Sequence, residues 1–155
     1  MFLLIRPIHN EDRSFLYQLY ASTRYEEVTL WGWDEQTIHH FLTFQWTAQQ
    51  QSYALQYPKM VQSIICIDDL RIGRIIISSD KDALTLVDLA LLPQYQNQQY
   101  GTKIVHQLQQ EAIEVNKKLY LSVQKMNRAI SLYSRLGFKI IGGNELYDFM
   151  EWTSQ

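Results

Sequence analysis

The sequence predicts an α/β fold, a central mixed sheet with helices on both faces, and three observations predict it. Apolar patterning switches along the chain between helical and strand periods, in the order β, α, α, β, β, β, α, β, α, β, β. Two β-branched runs, residues 61–67 and 71–78, are separated by Asp68 and Asp69 in the manner of a hairpin. A further run, residues 83–92, is apolar on both faces apart from Asp88, the pattern of a central strand covered on both sides.

Each element has a local reason. Residues 2–6 read as a strand stopped by Pro7, and Asn10 is placed to cap a helix over residues 11–22 with Phe15, Leu16, Leu19 and Tyr20 on its apolar face. A polar and aromatic connector, residues 23–33, leads to Asp34, a second N-cap. Ile38, Phe41, Leu42, Gln45 and Trp46 then form the stripe of a helix ending near Ser52. After the hairpin comes the 83–92 strand, closed by Pro93. Residues 100–115 are amphipathic through Ile104, Val105, Leu108, Ala112 and Ile113. A short strand, residues 119–123, precedes a helix over 127–136 that Gly137 ends, and residues 138–142 and 146–152 finish as strands.

Composition bounds the function. With 155 residues and 46% hydrophobic content the chain can bury one core, so residues 1–155 read as a single folded domain. A formal charge of −2 supplies no basic excess for a polyanion, which argues against nucleic acid and anionic membrane as partners. One cysteine, Cys66, forms no internal disulfide, and four histidines without ligand spacing suggest no metal. Without a signal-peptide plan at the N-terminus or an apolar run of about 18 residues, the expected location is cytoplasmic. Only six glycines are present, so their placement is informative.

Two stretches carry chemistry. In residues 89–105, LALLPQYQNQQYGTKIV, a buried strand gives way to a polar loop and then to a helix with Gly101 and Thr102 in its first turn. The free N–H groups of such a turn suit a phosphate or pyrophosphate, and an ordinary strand-to-helix connection is the competing account. In residues 127–138, NRAISLYSRLGF, Asn127 can cap a helix whose one side carries Ala129, Leu132, Tyr133 and Leu136. Tyr133 there is either a core aromatic with a polar tip or a working phenol.

Together and in this order, the two segments resemble the GCN5-related N-acetyltransferase (GNAT) superfamily. The family's cofactor motif, Q/R-x-x-G-x-G/A, aligns with Gln96, Asn97, Gln98, Gln99, Tyr100 and Gly101, and its N-x-A-x-x-x-Y-x-x-x-G-F motif with Asn127, Ala129, Tyr133, Gly137 and Phe138. The element order also fits that fold, an acyl-CoA N-acyltransferase fold, over essentially the whole chain. One position departs from it: the motif's first glycine is Gln99, where a positive φ would cost about 1 kcal/mol.

The resemblance implies an acetyl-CoA-dependent N-acetyltransferase with acetyl-CoA as co-substrate and no metal. The pyrophosphate is expected on Gln96, Asn97, Gln98, Gln99, Tyr100, Gly101 and Thr102, and the pantetheine beside Leu89, Ala90, Leu91 and Leu92, with Asn127 and Ala129 nearby. Tyr133 is the implied general acid toward the departing sulfur. For the base, Asp88 stands alone among apolar residues, where desolvation would favour proton uptake, and Glu26 and Glu27 of the connector are the alternatives. Tyr25, Trp31 and Trp33 are candidate acceptor contacts, since rings bind cationic amines. Cys66 reads as a buried apolar residue and His106 as surface or packing. The expected acceptor is a small-molecule or peptide amine, with a homodimer left open, and a catalytically silent acyl-CoA-binding or regulatory module is the alternative function.

Overall fold

The structure, a computed structural model, describes residues 2–154; Met1 and Gln155, the ends of the expected 1–155 domain, lie outside the described residues. The elements are β1 (Leu3–Pro7), α1 (Arg13–Thr29), α2 (Glu35–Gln56), β2 (Val61–Ile67), β3 (Leu70–Ser79), β4 (Ala83–Leu91), α3 (Tyr100–Glu114), β5 (Lys118–Gln124), α4 (Ala129–Arg135), β6 (Lys139–Gly143) and β7 (Tyr147–Trp152). Short 3-10 turns at Asn10–Asp12 and Pro93–Tyr95 precede α1 and follow β4. One seven-stranded sheet runs β1-β2-β3-β4-β5-β7-β6, and only the β4–β5 pair is parallel. This is the mixed sheet that the element order predicts.

Helices cover both faces. On one, Phe15, Leu16, Leu19, Val28, Leu42 and Trp46 of α1 and α2 pack on Ile64 and Cys66. On the other, Ile104, Val105, Leu108 and Ala112 of α3, with Tyr133 of α4, pack on Ile65, Ile75, Leu84, Leu86, Leu119, Leu121 and Met150. Cys66 is buried and His106 exposed, as the sequence suggests. No helix among the described residues is long and apolar enough to cross a membrane.

The α1 region departs from expectation at both ends. Its start is organised by Asp12 rather than by an Asn10 cap. The Asp12 carboxylate is 1% exposed and accepts from the guanidinium of Arg6 (2.8 and 2.9 Å), the N–H of His9 (2.8 Å) and Arg71 of β3 (3.1 Å). At the other end the helix continues through the expected connector to Thr29. Val28 is fully buried against α2, and Arg24 bridges Glu27 one turn along, so both packing and charge favour continuation. Asp34 does cap α2, accepting the N–H of Thr37 at 2.8 Å, and that helix runs one turn past Ser52 to Gln56.

The Asp12 carboxyl is held well below the usual carboxylate range, first by the Arg6 hydrogen bonds against the opposing effect of burial, with His9 and Arg71 adding to it. A group whose folded pKa is depressed stabilises above its unfolded value and loses that contribution as pH falls. Asp12→Asn is therefore expected to cost about 2–3 kcal/mol at pH 7 in urea unfolding, with the wild-type advantage shrinking below about pH 4. An unchanged midpoint at pH 7 would contradict this account of the α1 start.

Candidate functional site

The site begins with one extra residue in β4. Across the β3–β4 ladder Ile76 faces Asp88 and Ile77 faces Leu86, which leaves Val87 unopposed as a β-bulge. The bulge reverses the side-chain alternation: Leu84 and Leu86 face the α3 side, whereas Ala90 and Leu92 face the α1–α2 side and Leu89 and Leu91 return to the α3 side. The same place ends the parallel pairing. β4 pairs with β5 from Ala83↔Lys118 to Leu86↔Leu121, and β5 then stays with β7 through Gln124↔Tyr147. Beyond Leu86 the two strands part.

The freed edge of β4 is polar. Leu92 N donates to Ile72 O at 2.8 Å, so by ladder alternation the backbone groups of Leu91 and Leu89 point away from β3 into the gap. Gly73 of β3 lies opposite Leu91, and a Cβ there would collide with the Ala90 carbonyl, so only glycine lets the two strands approach this closely. Gln96 folds back to donate to Leu91 O at 2.9 Å, and Gln98 to Gln94 O at 2.6 Å. Both glutamine side chains thus brace the loop, which leaves backbone as its outward offering.

Past the loop, α3 starts with its first i to i−4 bond from Lys103 N to Gln99 O at 3.1 Å, so the N–H groups of Gly101 and Thr102 precede the helical ladder. Residues 93–102 contain no charged side chain, so an anion at this turn would meet backbone dipoles first, with Lys103 of the same turn the nearest cation along the chain. A Cβ on Gly101 would touch only Leu132 at 3.4 Å, so the fold itself does not demand glycine there. The demand lies two residues earlier. Gln99 holds φ +69° and ψ 9°, the left-handed conformation, and Asn97 has φ +60°.

On the opposite bank, Asn127 Oδ1 accepts the N–H of Ala129 at 2.8 Å and turns the chain into α4, leaving its amide N–H groups to donate elsewhere. At the end of α4, Gly137 has φ +95°, and Phe138 N donates to Tyr133 O at 3.0 Å while Gly137 N donates to Ser134 O at 3.1 Å. The Tyr133 and Phe138 rings meet edge to face at 5.6 Å. This closure locks Tyr133 in a buried position. Burial, and secondarily the negative charge of Asp88, push its phenol up to about 12.

Asp88 is not alone. The expectation of a solitary carboxylate among apolar residues is corrected by Arg74 of β3, whose guanidinium forms an ion pair with Asp88 Oδ2. Arg74 is the residue that sequence reasoning missed; its signal was a second lone charge in the neighbouring apolar strand. Tyr53 of α2 belongs to the same neighbourhood. Its phenol is raised first by burial and then by Asp88, with Arg74 opposing and Tyr147 adding.

The connector residues sit elsewhere than expected. Tyr25, Glu26 and Glu27 are exposed on the last turns of α1, not on a connector, and Arg24 holds the Glu27 carboxyl below its usual range by hydrogen bonding. Trp31 and Trp33 stack at 4.9 Å beyond α1, and both pack on Phe41 of α2 at 5.3 and 5.5 Å, so Phe41 is half-buried beneath them. Among the described residues no group of three or more His, Cys, Asp or Glu could hold a metal ion.

The left-handed Gln99 gives a direct test. Gln99→Gly removes the Cβ conflict, and the added freedom of the unfolded chain offsets part of the gain, so stability should rise by about 0.5 kcal/mol in chemical denaturation. A loss of stability would show that the Gln99 side chain makes contacts that outweigh the strain.

Comparison with known proteins agrees with this geometry. A family model described as an acetyltransferase (GNAT) domain matches residues 61–140. No curated protein matches the chain at a significant level. Among solved structures, the chain is similar to PaiA N-acetyltransferase from Thermoplasma acidophilum in complex with coenzyme A, at 18% identity and TM-score 0.72, covering 97% of this chain and 98% of that one. It is also similar to the ribosomal-protein-S18-alanine N-acetyltransferase from Escherichia coli, at 20% identity and TM-score 0.65, over 97% and 92% of the two chains. An aminoglycoside 6'-N-acetyltransferase complexed with coenzyme A is 15% identical, with TM-score 0.59 and coverage of 97% and 96%. At such identities the likeness is one of fold. The family match is broader evidence: it spans more than half of the 155 residues and runs from β2 through the parted strands and α4, so the chain belongs to the GNAT acetyltransferase family.

Proposed function

We propose that this chain transfers an acetyl group from acetyl-CoA to a primary amine of a small molecule or peptide by direct attack. The observation that carries the reading is the gap between β4 and β5 beyond Leu86, which opens beside the first turn of α3. An extended amide-bearing arm can pair with a strand edge that faces a gap, here through the backbone of Leu89 and the N–H of Leu91, since Leu91 O already accepts from Gln96, and a pyrophosphate suits a helix N-terminus. Acetyl-CoA has both parts, and when bound it supplies an activated thioester. The residues fit it.

The chain's own contribution is positioning and charge. The N–H groups of Asn97, Gln98, Gln99, Tyr100, Gly101 and Thr102 would receive the pyrophosphate, with Gln96 bracing the loop. The backbone of Leu89, Ala90, Leu91 and Leu92, with Asn127 and Ala129 across the gap, would align the arm. A backbone N–H at Leu89 or Leu91 would face the carbonyl oxygen as negative charge develops there. The acceptor arrives mostly as ammonium, and Asp88 would take its proton, so that the neutral amine forms the C–N bond while the C–S bond breaks. Tyr133 would donate to the departing sulfur. Its raised pKa keeps the proton in place through the neutral range, and since a thiolate is the weaker base, at about 8.5, donation accompanies bond breaking rather than preceding it. Trp31 and Trp33, packed on Phe41, and the exposed Tyr25 would be the rings that an acceptor meets. No covalent enzyme intermediate is needed, which agrees with Cys66 being buried.

Three measurements test the reading. Acetyl-CoA should raise the melting temperature, and thiol release should follow on at least one primary amine of a panel; binding without release would instead support a silent acyl-CoA-binding module. Tyr133→Phe keeps the ring and removes the proton, so kcat should fall roughly 10²-fold with little change in stability. An unchanged kcat would remove Tyr133 from the chemistry. Gly101→Val should weaken CoA binding at the helix N-terminus, with the melting temperature as the control for its γ carbons, since the Cβ itself meets only Leu132 at 3.4 Å. Retained affinity would move the phosphate site off α3.

A further inference from the structure

A buried ion pair is a costly thing to keep unless its remaining polar atoms are answered. Asp12 meets that condition, with four donors on one carboxylate. The Arg74–Asp88 pair does not. Arg74 lies in the middle of β3 with a side chain 4% exposed, and its Nε and Nη1 are buried without a partner among the described residues, which leaves one nitrogen engaged there, by Asp88 Oδ2. Replacement of such a pair by apolar residues of similar volume is commonly neutral or stabilising, so stability gives no account of why a guanidinium stands here.

Its geometry does. Asp88 is 23% exposed while Arg74 is nearly sealed, so the pair forms a dipole with its negative end toward the solvent side. Asp88 follows the Val87 bulge, where β4 leaves β5, and its charge reaches a phenol in each covering layer, Tyr53 of α2 and Tyr133 of α4. Tyr147, which pairs with Gln124 at the far end of β5, is felt by Tyr53 as well. Among the described residues, the groups paired with Asp88 or sensing its charge are Arg74, Tyr53 and Tyr133, with Tyr147 beyond Tyr53. Arg74 is the only cation among them.

We propose that Arg74 is a positioning residue of the transfer reaction: through its ion pair it fixes the Asp88 carboxylate at the mouth of the β4–β5 gap, where that carboxylate draws in the acceptor as an ammonium ion. This rests on the acetyl-transfer reading above. It selects for acceptors that arrive as primary ammonium ions, and it assigns the guanidinium to orientation rather than to contact with the substrate.

Two CoA thioethers test it without requiring turnover: S-(3-aminopropyl)-CoA, which carries an ammonium group into the gap, and S-propyl-CoA, which does not. Affinities are measured by calorimetry at pH 7 and pH 5.5, with melting temperatures as controls. The wild type should prefer the amino compound about tenfold at both pH values, the size expected of one charge-assisted hydrogen bond. Asp88→Asn should abolish the preference. Arg74→Met should lose it at both pH values, because the carboxylate is no longer fixed at the mouth of the gap. Should that variant not fold, Arg74→Lys serves: it keeps a cation without the planar fork and should lower the preference by about threefold. A purely structural Arg74 would lower melting temperatures and leave every affinity ratio unchanged, which would overturn the proposal, as would a wild-type ratio near one. Failure of both thioethers and of CoA itself to bind would overturn the acetyl-transfer reading, and the proposal with it.

Discussion

Val87 has no partner on β3, and most of what is distinctive about the molecule follows from that one unopposed residue. An even alternation would have kept Asp88 on the α3 face with Leu84 and Leu86, inside an apolar core. The bulge turns Asp88 to the α1–α2 face beside Arg74 and leaves Leu89 and Leu91 as the lining of the α3 side. It also bends β4 away from β5, so a central strand presents backbone groups to a gap instead of to a neighbour. In most sheets such an edge is a liability. Here it lies next to the start of α3, and the two together make a surface suited to an extended ligand with a phosphorylated end.

Two ion-paired carboxylates, one buried and one half-buried, show how differently the same chemistry can be used. Asp12 joins β1, β3 and the start of α1 through Arg6, Arg71 and the His9 N–H, and each lone pair has a donor. It acts as a joint between the sheet and its first helix. Asp88 has one donor, sits at a strand break and influences two phenols in opposite layers. The contrast in hydrogen-bond completeness separates a group that holds the fold from one that is held by it.

The layered order of the fold was legible because period and punctuation agree in the sequence: Asp68 and Asp69 between β-branched runs, Pro93 after the central strand, Gly137 after the 129–135 helix. The reach of α1 was not, because Thr23 to Thr29 are polar enough to read as a loop, and only tertiary burial of Val28 decides for helix. Asn10 looked like a cap because Asn is a good one, yet Asp12, two residues on, had three further donors available and organises the start instead. At the site, the backbone motifs were visible and the side-chain pairing was not. Arg74 and Asp88 lie 14 residues apart, and nothing short of the strand register states that they meet. The left-handed Gln99 was the reverse case: its departure from glycine marked the position whose backbone proved unusual.

The loop between β4 and α3 has a further consequence through what it lacks. Residues 93–102 carry no lysine, arginine or carboxylate, so what this loop itself offers a phosphorylated ligand is aligned peptide dipoles at contact distance, with Lys103 in the first turn of α3 the nearest cation along the chain. Dipolar forces of that kind fade within a few ångströms and are little weakened by dissolved ions, whereas attraction between full charges falls as the ionic atmosphere thickens. A ligand held by this loop would gain little long-range steering on its way in. Once seated, the part of its residence that rests on these dipoles would be nearly indifferent to the salt content of the surrounding solution, leaving Lys103 as the contributor that salt weakens.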